Sequence, residues 1–478
     1  MIRLSHTRPA IIGAVMALAL VVPVPAAAAS AGEPFGPSAP ANPALAATTG
    51  ATMHGDSASA KAFPMAGPGR SVTTTRTVLA AACAAIVHGS DGYPVALCTD
   101  AMTRRPVVHL LDPATGGSLA SLPVAPGSLL GGVYAYLDDR DQLVLVDGER
   151  NLLRIGHGRG YLGRWRLTVT ERTSLVAVVP ADDAVTALMP GYDGRVWFAT
   201  AAGVVGVVAA DGTARTHQLP AGERVANSIS TAPGGRTAVV STHALYVFDS
   251  DAAGAPRVLW RAGYDRGVAR KPGQLSWGSG ATPVFFGPAT GTEYVAITDN
   301  ADPHMRLRVL AAANGDPVCS TSLFTDRTGS GSENAVVASG RSVFVVNTYG
   351  YDYPALPADA GPSVPADAPF SGGVARIDVA ADGGGCEPRW STRTRSAALP
   401  RLSMADRTIY TVVQAGLLNT DADPFHYATV DADSGSVTSS TGLGFGLVNP
   451  LQMTGTVTAG GVFYQGTLTG LVRVAAAR

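Results

Sequence analysis

From residue 94 to residue 475 the apolar positions arrive in short bursts, each closed by a polar turn, and the turns resemble one another. The bursts read VVHLLDPATGG (107–117), GVVAADGTA (206–214), LYVFDSDAAGA (245–255), LRVLAAANGD (307–316), ARIDVAADGGG (375–385) and YATVDADSGS (427–436), with a worn copy in QLVLVDGERN (142–151). Val-, Leu- and Tyr-rich stretches of this length, ended by Asp, Asn and Gly, are hairpin strands followed by tight turns. Ahead of most copies lies another such strand, as in DGRVWFAT (193–200), GGRTAVVST (234–242), GTEYVAIT (291–298), GRSVFVVN (340–347), DRTIYTVV (406–413) and GGVFYQGT (460–467). Sustained helical periodicity is confined to the first residues. The copies recur at roughly 40 to 60 residues, the period of propeller blades. Radial repetition is one way for antiparallel sheets to protect their edges. The pattern therefore predicts an all-β fold, a β-propeller of four-stranded antiparallel blades, with eight blades favoured over seven. The last hairpin has no outer strand of its own, and the segment near 78–90 is the candidate to supply it.

The two ends of the chain differ in character. Arg3 and Arg8 precede an apolar run over 11–24, and Ala29-Ser30-Ala31 then fits a small-residue cleavage site. This is the grammar of a secretory signal peptide, over residues 1–31, and predicts a secreted, extracellular protein. The run is short for a membrane span, which needs about 20 apolar residues, and no later run is longer, so no span is expected after cleavage. Residues 32–75 are Ala, Pro, Gly, Ser and Thr; this composition predicts a disordered leader, with a single propeller domain over 76–478. Gly is 56 of 478 residues and charged residues are 15%, which suits a turn-rich β protein. The net charge of −1 and the lack of a basic stripe argue against a nucleic-acid partner, and a monomer is expected. Export permits disulfides among Cys83, Cys98, Cys319 and Cys386. Four cysteines allow three pairings; Cys83 with Cys98 is a short-range candidate, and Cys319 with Cys386, each after a similar turn, would tie neighbouring units.

The turns LLDPATGG, VFDSDAAGAPRVLW and TVDADSGS resemble the D-x-x-T-G repeats of quinoprotein-type (PQQ-like) propellers, and YDGRVWFAT and LYVFDSD are similar to pieces of SMP-30/gluconolactonase-like and NHL propellers. The first resemblance implies oxidation of alcohols or sugars with a quinone (PQQ) and calcium. The chain departs from that pattern: it has no adjacent cysteine pair, and only Trp260 and Trp390 stand where a tryptophan docks one blade on the next.

In an up-and-down blade the connection into the inner strand and the turn between second and third strands share a face. That rule brings Glu333 and Asn334 together with Asn347, Tyr349, Tyr351, Asp352 and Tyr353, and adds Asn227, His243, Asp299, Asn300, His304, Arg401, Asp421, Asp423, His426 and Asn449 to the same mouth. Long loops on one face of a rigid scaffold are where binding concentrates. Ligand-binding candidates are Glu333, Asn334, Asn347, Tyr349, Tyr351, Asp352, Arg401 and His426; the tyrosines suit stacking on a sugar. Asn227, Asp299, Asn300 and Glu333 offer the oxygen ligands that calcium takes. The competing reading makes the Asp and Asn residues turn formers beside Pro303 and Pro424, and pairs Glu333 with Arg401. No H-E-x-x-H or G-x-S-x-G occurs, and GRGYLG (158–163) lacks the strand and helix that a nucleotide-binding G-x-G-x-x-G needs. Three functions follow from such a mouth: binding of an extracellular small molecule, glycan or envelope component; a calcium-dependent lactonase or esterase, or a PQQ-type oxidoreductase; and a scaffold for another exported protein.

Overall fold

The computed structural model describes residues 35–127, 134–416, 420 and 422–477. The expected signal peptide, residues 1–31, and Asp421 lie outside the described residues. Eight antiparallel sheets of four strands stand in a ring, an eight-bladed β-propeller. The inner strands of blades 1 to 8 are Ala81–His88, Tyr136–Leu137, Val185–Pro190, Ser230–Ala232, Val284–Phe286, Val337–Ser339, Arg401–Ser403 and Thr456–Val457. Blade 8 takes its outer strand from Val72–Val78, antiparallel to Gly470–Ala476, which closes the ring. The expected closing segment was 78–90; residues 81–88 are instead the inner strand of blade 1.

The apolar bursts are strands buried on both faces. In blade 3 every residue of Val196–Thr200 and Val204–Val208 is buried, because one blade covers each face of the next. Outer strands such as Pro256–Gly263 alternate buried and exposed positions, since one face meets solvent. Trp260 and Trp390 dock blades as the resemblance implies. The indole of Trp260 donates to Ala312 O at 3.2 Å and that of Trp390 to Ala432 O at 3.2 Å, each in the next blade. Each indole lies on the glycine that ends the neighbouring turn, Gly315 (φ 79°) or Gly435 (φ 74°); a Cβ there would come within 2.7 or 2.6 Å of the ring. Cys83–Cys98 joins two strands of blade 1, and Cys319–Cys386 ties the outer strand of blade 5 to that of blade 6.

The expected leader is the main correction. Residues 42–63 run inside the ring and bond to the inner strand of every blade. The Asn42 amide donates to Pro190 O in blade 3 at 2.9 Å, and Leu137 of blade 2 bonds with Ala46 and Ala51. His88 N–H of blade 1 donates to Gly50 O at 2.9 Å, and Thr49 Oγ1 to Val457 O of blade 8 at 3.3 Å. Thr231, Phe285, Ala338 and Leu402 of blades 4 to 7 then donate to the carbonyls of Ser57, Ala58, Ala60 and Lys61, at 2.8 to 3.1 Å. Ala62–Phe63 ends as a fifth, parallel strand on blade 7. A propeller leaves eight inner sheet edges facing its axis, and their unpaired N–H and C=O groups need partners. This segment supplies them. Its small side chains, poor in burial when counted alone, are what a narrow channel admits: Ala51, Ala58 and Ser59 are fully buried, and a Cβ on Gly50 would lie 2.2 Å from the His88 ring.

Candidate functional site

The two ends of the 331–353 stretch meet, as the meander predicts. Gly331 N–H donates to Asn347 Oδ1 at 3.1 Å, Thr348 N–H to Gly331 O at 2.9 Å, and Glu333 N–H to Thr348 Oγ1 at 3.0 Å. The Glu333 side chain turns to the axis, where it helps line a hollow of about 40 Å³ with His54, Tyr134, Asn227, Asn334, Tyr353 and Gln452 among its walls. Glu333 Oε2 accepts the Leu275 N–H at 2.8 Å. Burial pushes its carboxyl up to about 8, against the opposing pull of that N–H, of Arg270 and of the Asn227 side chain. Tyr134 donates to Asn227 Oδ1 at 3.3 Å, and the Asn334 amide to Gln452 Oε1 at 2.7 Å. Burial, then the Glu333 charge, drives the Tyr353 phenol well up. His54, on the axial segment, is held neutral by burial and by Lys61 and Arg401; it contacts Thr282 Oγ1 at 3.2 Å. The result is a small, half-buried polar chamber with one carboxyl raised by burial, two phenols and a neutral imidazole.

Two loops seal it from above. Gly350 N–H donates to Pro272 O at 3.0 Å, Thr348 Oγ1 to Gly273 O at 2.9 Å and Val364 N–H to Arg270 O at 2.9 Å, so loops 264–283 and 347–373 interlock. Lys271 anchors the first loop by donating to the carbonyls of Ala301 (2.5 Å) and Ser330 (2.9 Å).

Several expected residues serve the scaffold. Asp299 Oδ1 caps a turn, accepting from Ala301 N (3.1 Å) and Arg306 N (2.7 Å), and the Asn300 amide holds Arg266 O (2.8 Å) and Ala269 O (2.9 Å). Neither lines the chamber, so the oxygen set of Asn227, Asp299, Asn300 and Glu333 does not converge. Arg401 is fully buried and points into the ring, donating to the carbonyls of Lys61 (3.2 Å), Gly455 (3.4 Å) and Thr49 (3.0 Å); it pairs neither with Glu333 nor with the open mouth. His426 sits on the third strand of blade 7 against Ser440 (2.9 Å), away from the axis. Asn347 is saturated, its amide donating to Ser371 Oγ (3.0 Å) and Gly372 O (2.8 Å). The Tyr351 hydroxyl bonds Asn449, and its ring meets Tyr353 and Phe370 edge-on at 4.8 and 5.3 Å. Tyr349 packs on Gly329. The Tyr349 and Tyr351 rings pack within the loop and do not line the chamber, and Asp352 is exposed. His243 stacks its contacts on Thr242 and Arg266, and Asp423 pairs with Arg395. The sequence reading missed Tyr134, which precedes the blade 2 inner strand as Glu333 precedes that of blade 6, and His54, hidden in a segment whose composition signals disorder.

Neither group implied by the resemblance fits this chamber. A hollow of about 40 Å³ admits about three waters, far below the ~300 Å³ of a drug-sized site. Among the described residues no three His, Cys, Asp or Glu side chains are grouped to hold a metal ion.

No protein-family model matches the sequence, and no curated protein does. Solved structures do match. The quinohemoprotein alcohol dehydrogenase of Comamonas testosteroni superposes with a TM-score of 0.55 at 12% identity, covering 92% of this chain and 82% of that one. The Dos1 propeller gives 0.51 at 9% identity, covering 85% and 95%. A streptogramin B lyase gives 0.44 at 10%, covering 85% and 98%. The likeness is one of fold. It places the chain among β-propellers.

Proposed function

We propose that the chain is a secreted recognition module that binds an extracellular small molecule, glycan or envelope component at the loop-rich face, and carries out no chemistry of its own there. One observation carries this reading. The chain fills its own channel with residues 42–63, bonded to all eight blades, and leaves about 40 Å³ beside Glu333. A channel-mouth enzyme needs room for substrate and a nucleophile or metal beside it. What remains is a set of convergent polar groups, Glu333, Asn227, Asn334, Tyr134 and Tyr353, under two loops that could part to admit a ligand's polar end. The two disulfides, one of them between blades, are consistent with the oxidising surroundings that the signal sequence predicts. The test is a melting-temperature screen against soluble envelope glycan fragments, repeated on Glu333→Gln, Asn227→Ala and Tyr353→Phe. A shift in the parent that disappears in these variants supports the chamber as the site. A shift that survives all three moves the site elsewhere, and turnover of any fragment removes the non-catalytic reading.

A further inference from the structure

On the opposite face, blade 2 carries a long outer hairpin, Asn151–Arg159 with Trp165–Ser174, whose tip is the GRGYLGR segment that failed as a nucleotide motif. The tip turns through Tyr161–Gly163, and its two large residues stand out in solvent: Tyr161 is 93% exposed and Leu162 81%. Leu162 also has φ 65°, a left-handed conformation that glycine adopts without cost and leucine does not. A bulky apolar side chain kept at such a position is a candidate for a functional contact.

The flanks are uniformly basic. Residues 157–166 contain Arg159, Arg164 and Arg166 and no acid, a charge of +3; the whole chain is −1, so the remainder sums to −4. Arg159 lies over the Trp165 ring at 4.6 Å and donates to Gly163 O at 2.7 Å, which fixes it at the tip. Beside the hairpin is a recess of about 420 Å³ lined by Arg140, Gln142, His157, Arg159, Arg166 and Thr168. Its two acids are already engaged: Asp91 holds His157 Nε2 at 2.6 Å, and Asp141 holds the N–H (2.8 Å) and Oγ (2.6 Å) of Ser90. Among the described residues Arg140, Arg159, Arg164 and Arg166 form no ion pair, so their charge faces outward.

We propose that this hairpin docks the protein on an anionic lipid bilayer, with Tyr161 and Leu162 entering the interface and the arginine-lined recess receiving lipid phosphate. A tyrosine and a leucine flanked by arginines and a tryptophan are the residue types that settle at the boundary between headgroups and acyl chains. A soluble polyanion would engage the arginines but would leave the two apolar residues in water, and for that reason a bilayer is favoured. Each arginine near an anionic surface strengthens attachment about fivefold.

The test is co-sedimentation of the chain from residue 32 onward, which contains the whole propeller and omits the apolar signal run. The probes are vesicles of phosphatidylcholine alone and of equimolar phosphatidylcholine and phosphatidylglycerol. Binding is expected to the anionic vesicles only and to weaken with salt. Arg159→Gln/Arg164→Gln/Arg166→Gln should lower it on the order of 100-fold, Tyr161→Ser/Leu162→Ser should abolish it at physiological salt, and Arg104→Gln/Arg105→Gln on the other face should leave it intact. Failure of the parent chain to bind, or equal binding by the tip variants with near-UV dichroism unchanged, overturns the proposal. So does capture on a soluble anionic polysaccharide without vesicle binding, which would assign the hairpin to a polymer.

Discussion

Glu333 makes a pH-dependent claim on stability that one substitution isolates. Its carboxyl rises from 4.5 to about 8 in the folded chain, chiefly through burial. Below pH 4.5 the group is protonated folded or unfolded and contributes nothing. Between those values the unfolded chain releases the proton while the folded chain keeps it, so stability falls as pH rises. Above about pH 8 both states are ionised and the loss is complete. The difference, 8 − 4.5 or about 3.5 units, corresponds to at most about 5 kcal/mol at 1.36 kcal/mol per unit. Glu333→Gln keeps the shape, lets an amide oxygen accept the Leu275 N–H, and has no proton to lose. Urea unfolding of both proteins from pH 4 to pH 9 reads the effect. The curves should coincide near pH 4 and separate by a few kcal/mol at pH 9, the variant being the more stable. Parallel curves would mean that the carboxyl is hydrated and the chamber open. If the same variant also loses ligand binding, the penalty is stability given up for function, a common trade at binding sites.

The axial segment gives sharper checks. Both lysines of the chain are buried, Lys61 at 0% and Lys271 at 2% exposure. A lysine-specific protease should therefore leave the native protein uncut, and rapid cleavage after Lys61 in a digestion time course would restore the disordered leader. Arg401→Met removes the donors for the buried carbonyls of Lys61, Gly455 and Thr49; an acceptor left unpaired in the interior costs about 1–3 kcal/mol, so a loss of at least that size in chemical unfolding is expected, and a loss below about 1 kcal/mol would detach Arg401 from the segment. Cys319→Ser/Cys386→Ser opens a cross-link between residues 67 apart, worth about 4 kcal/mol in the chain-entropy account; the melting temperature should fall in the oxidised protein, and after reduction, which also opens Cys83–Cys98, variant and parent should match.

Much of the fold was legible because the second strand of each blade, and the third in several, is largely enclosed on both faces and therefore mostly apolar, as VWFAT and VVGVV are in blade 3. The turns that follow need Asp, Asn and Gly, so the repeat is written twice in every blade. The same regularity sorted residues between faces, and Glu333 meeting Thr348 is its outcome. The inner strands were harder to read. Tyr136–Leu137 and Thr456–Val457 are two residues each and leave no periodic trace. Composition misled where partners lie far away: residues 42–63 cannot bury themselves, yet they are buried by eight blades. Asp299 and Arg401 misled for another reason. Polarity at a predicted mouth does not reveal whether a side chain's lone pairs or protons are already taken by backbone, as the Arg401 guanidinium and Asp299 Oδ1 are.

The axial segment also constrains how the ring can form. Its partners lie along nearly the whole chain, from His88 to Val457, and Thr49 reaches Val457 across 408 positions. Directly after it, Val72–Val78 needs Gly470–Ala476 to complete blade 8. Residues 42–78 thus acquire their structure only when the last strand is in place, and loop-closure entropy must be overcome before these contacts reward the chain. Closure of blade 8 and filling of the channel become one event, because 42–63 and 72–78 are joined by eight residues. A chain ending before Gly470 should then lose more than an edge strand. The outer strand of blade 8 would have no partner, and the axial segment would be tethered at one end only. Partial structure in the other blades should persist, since each keeps its local hairpins, but protection of the Ala46, Ala60 and Lys61 amides in hydrogen exchange should collapse along with that of blade 8. If the axial amides stayed protected in that truncated chain, filling of the channel would be independent of ring closure, and the coupling argued from the connectivity would fail.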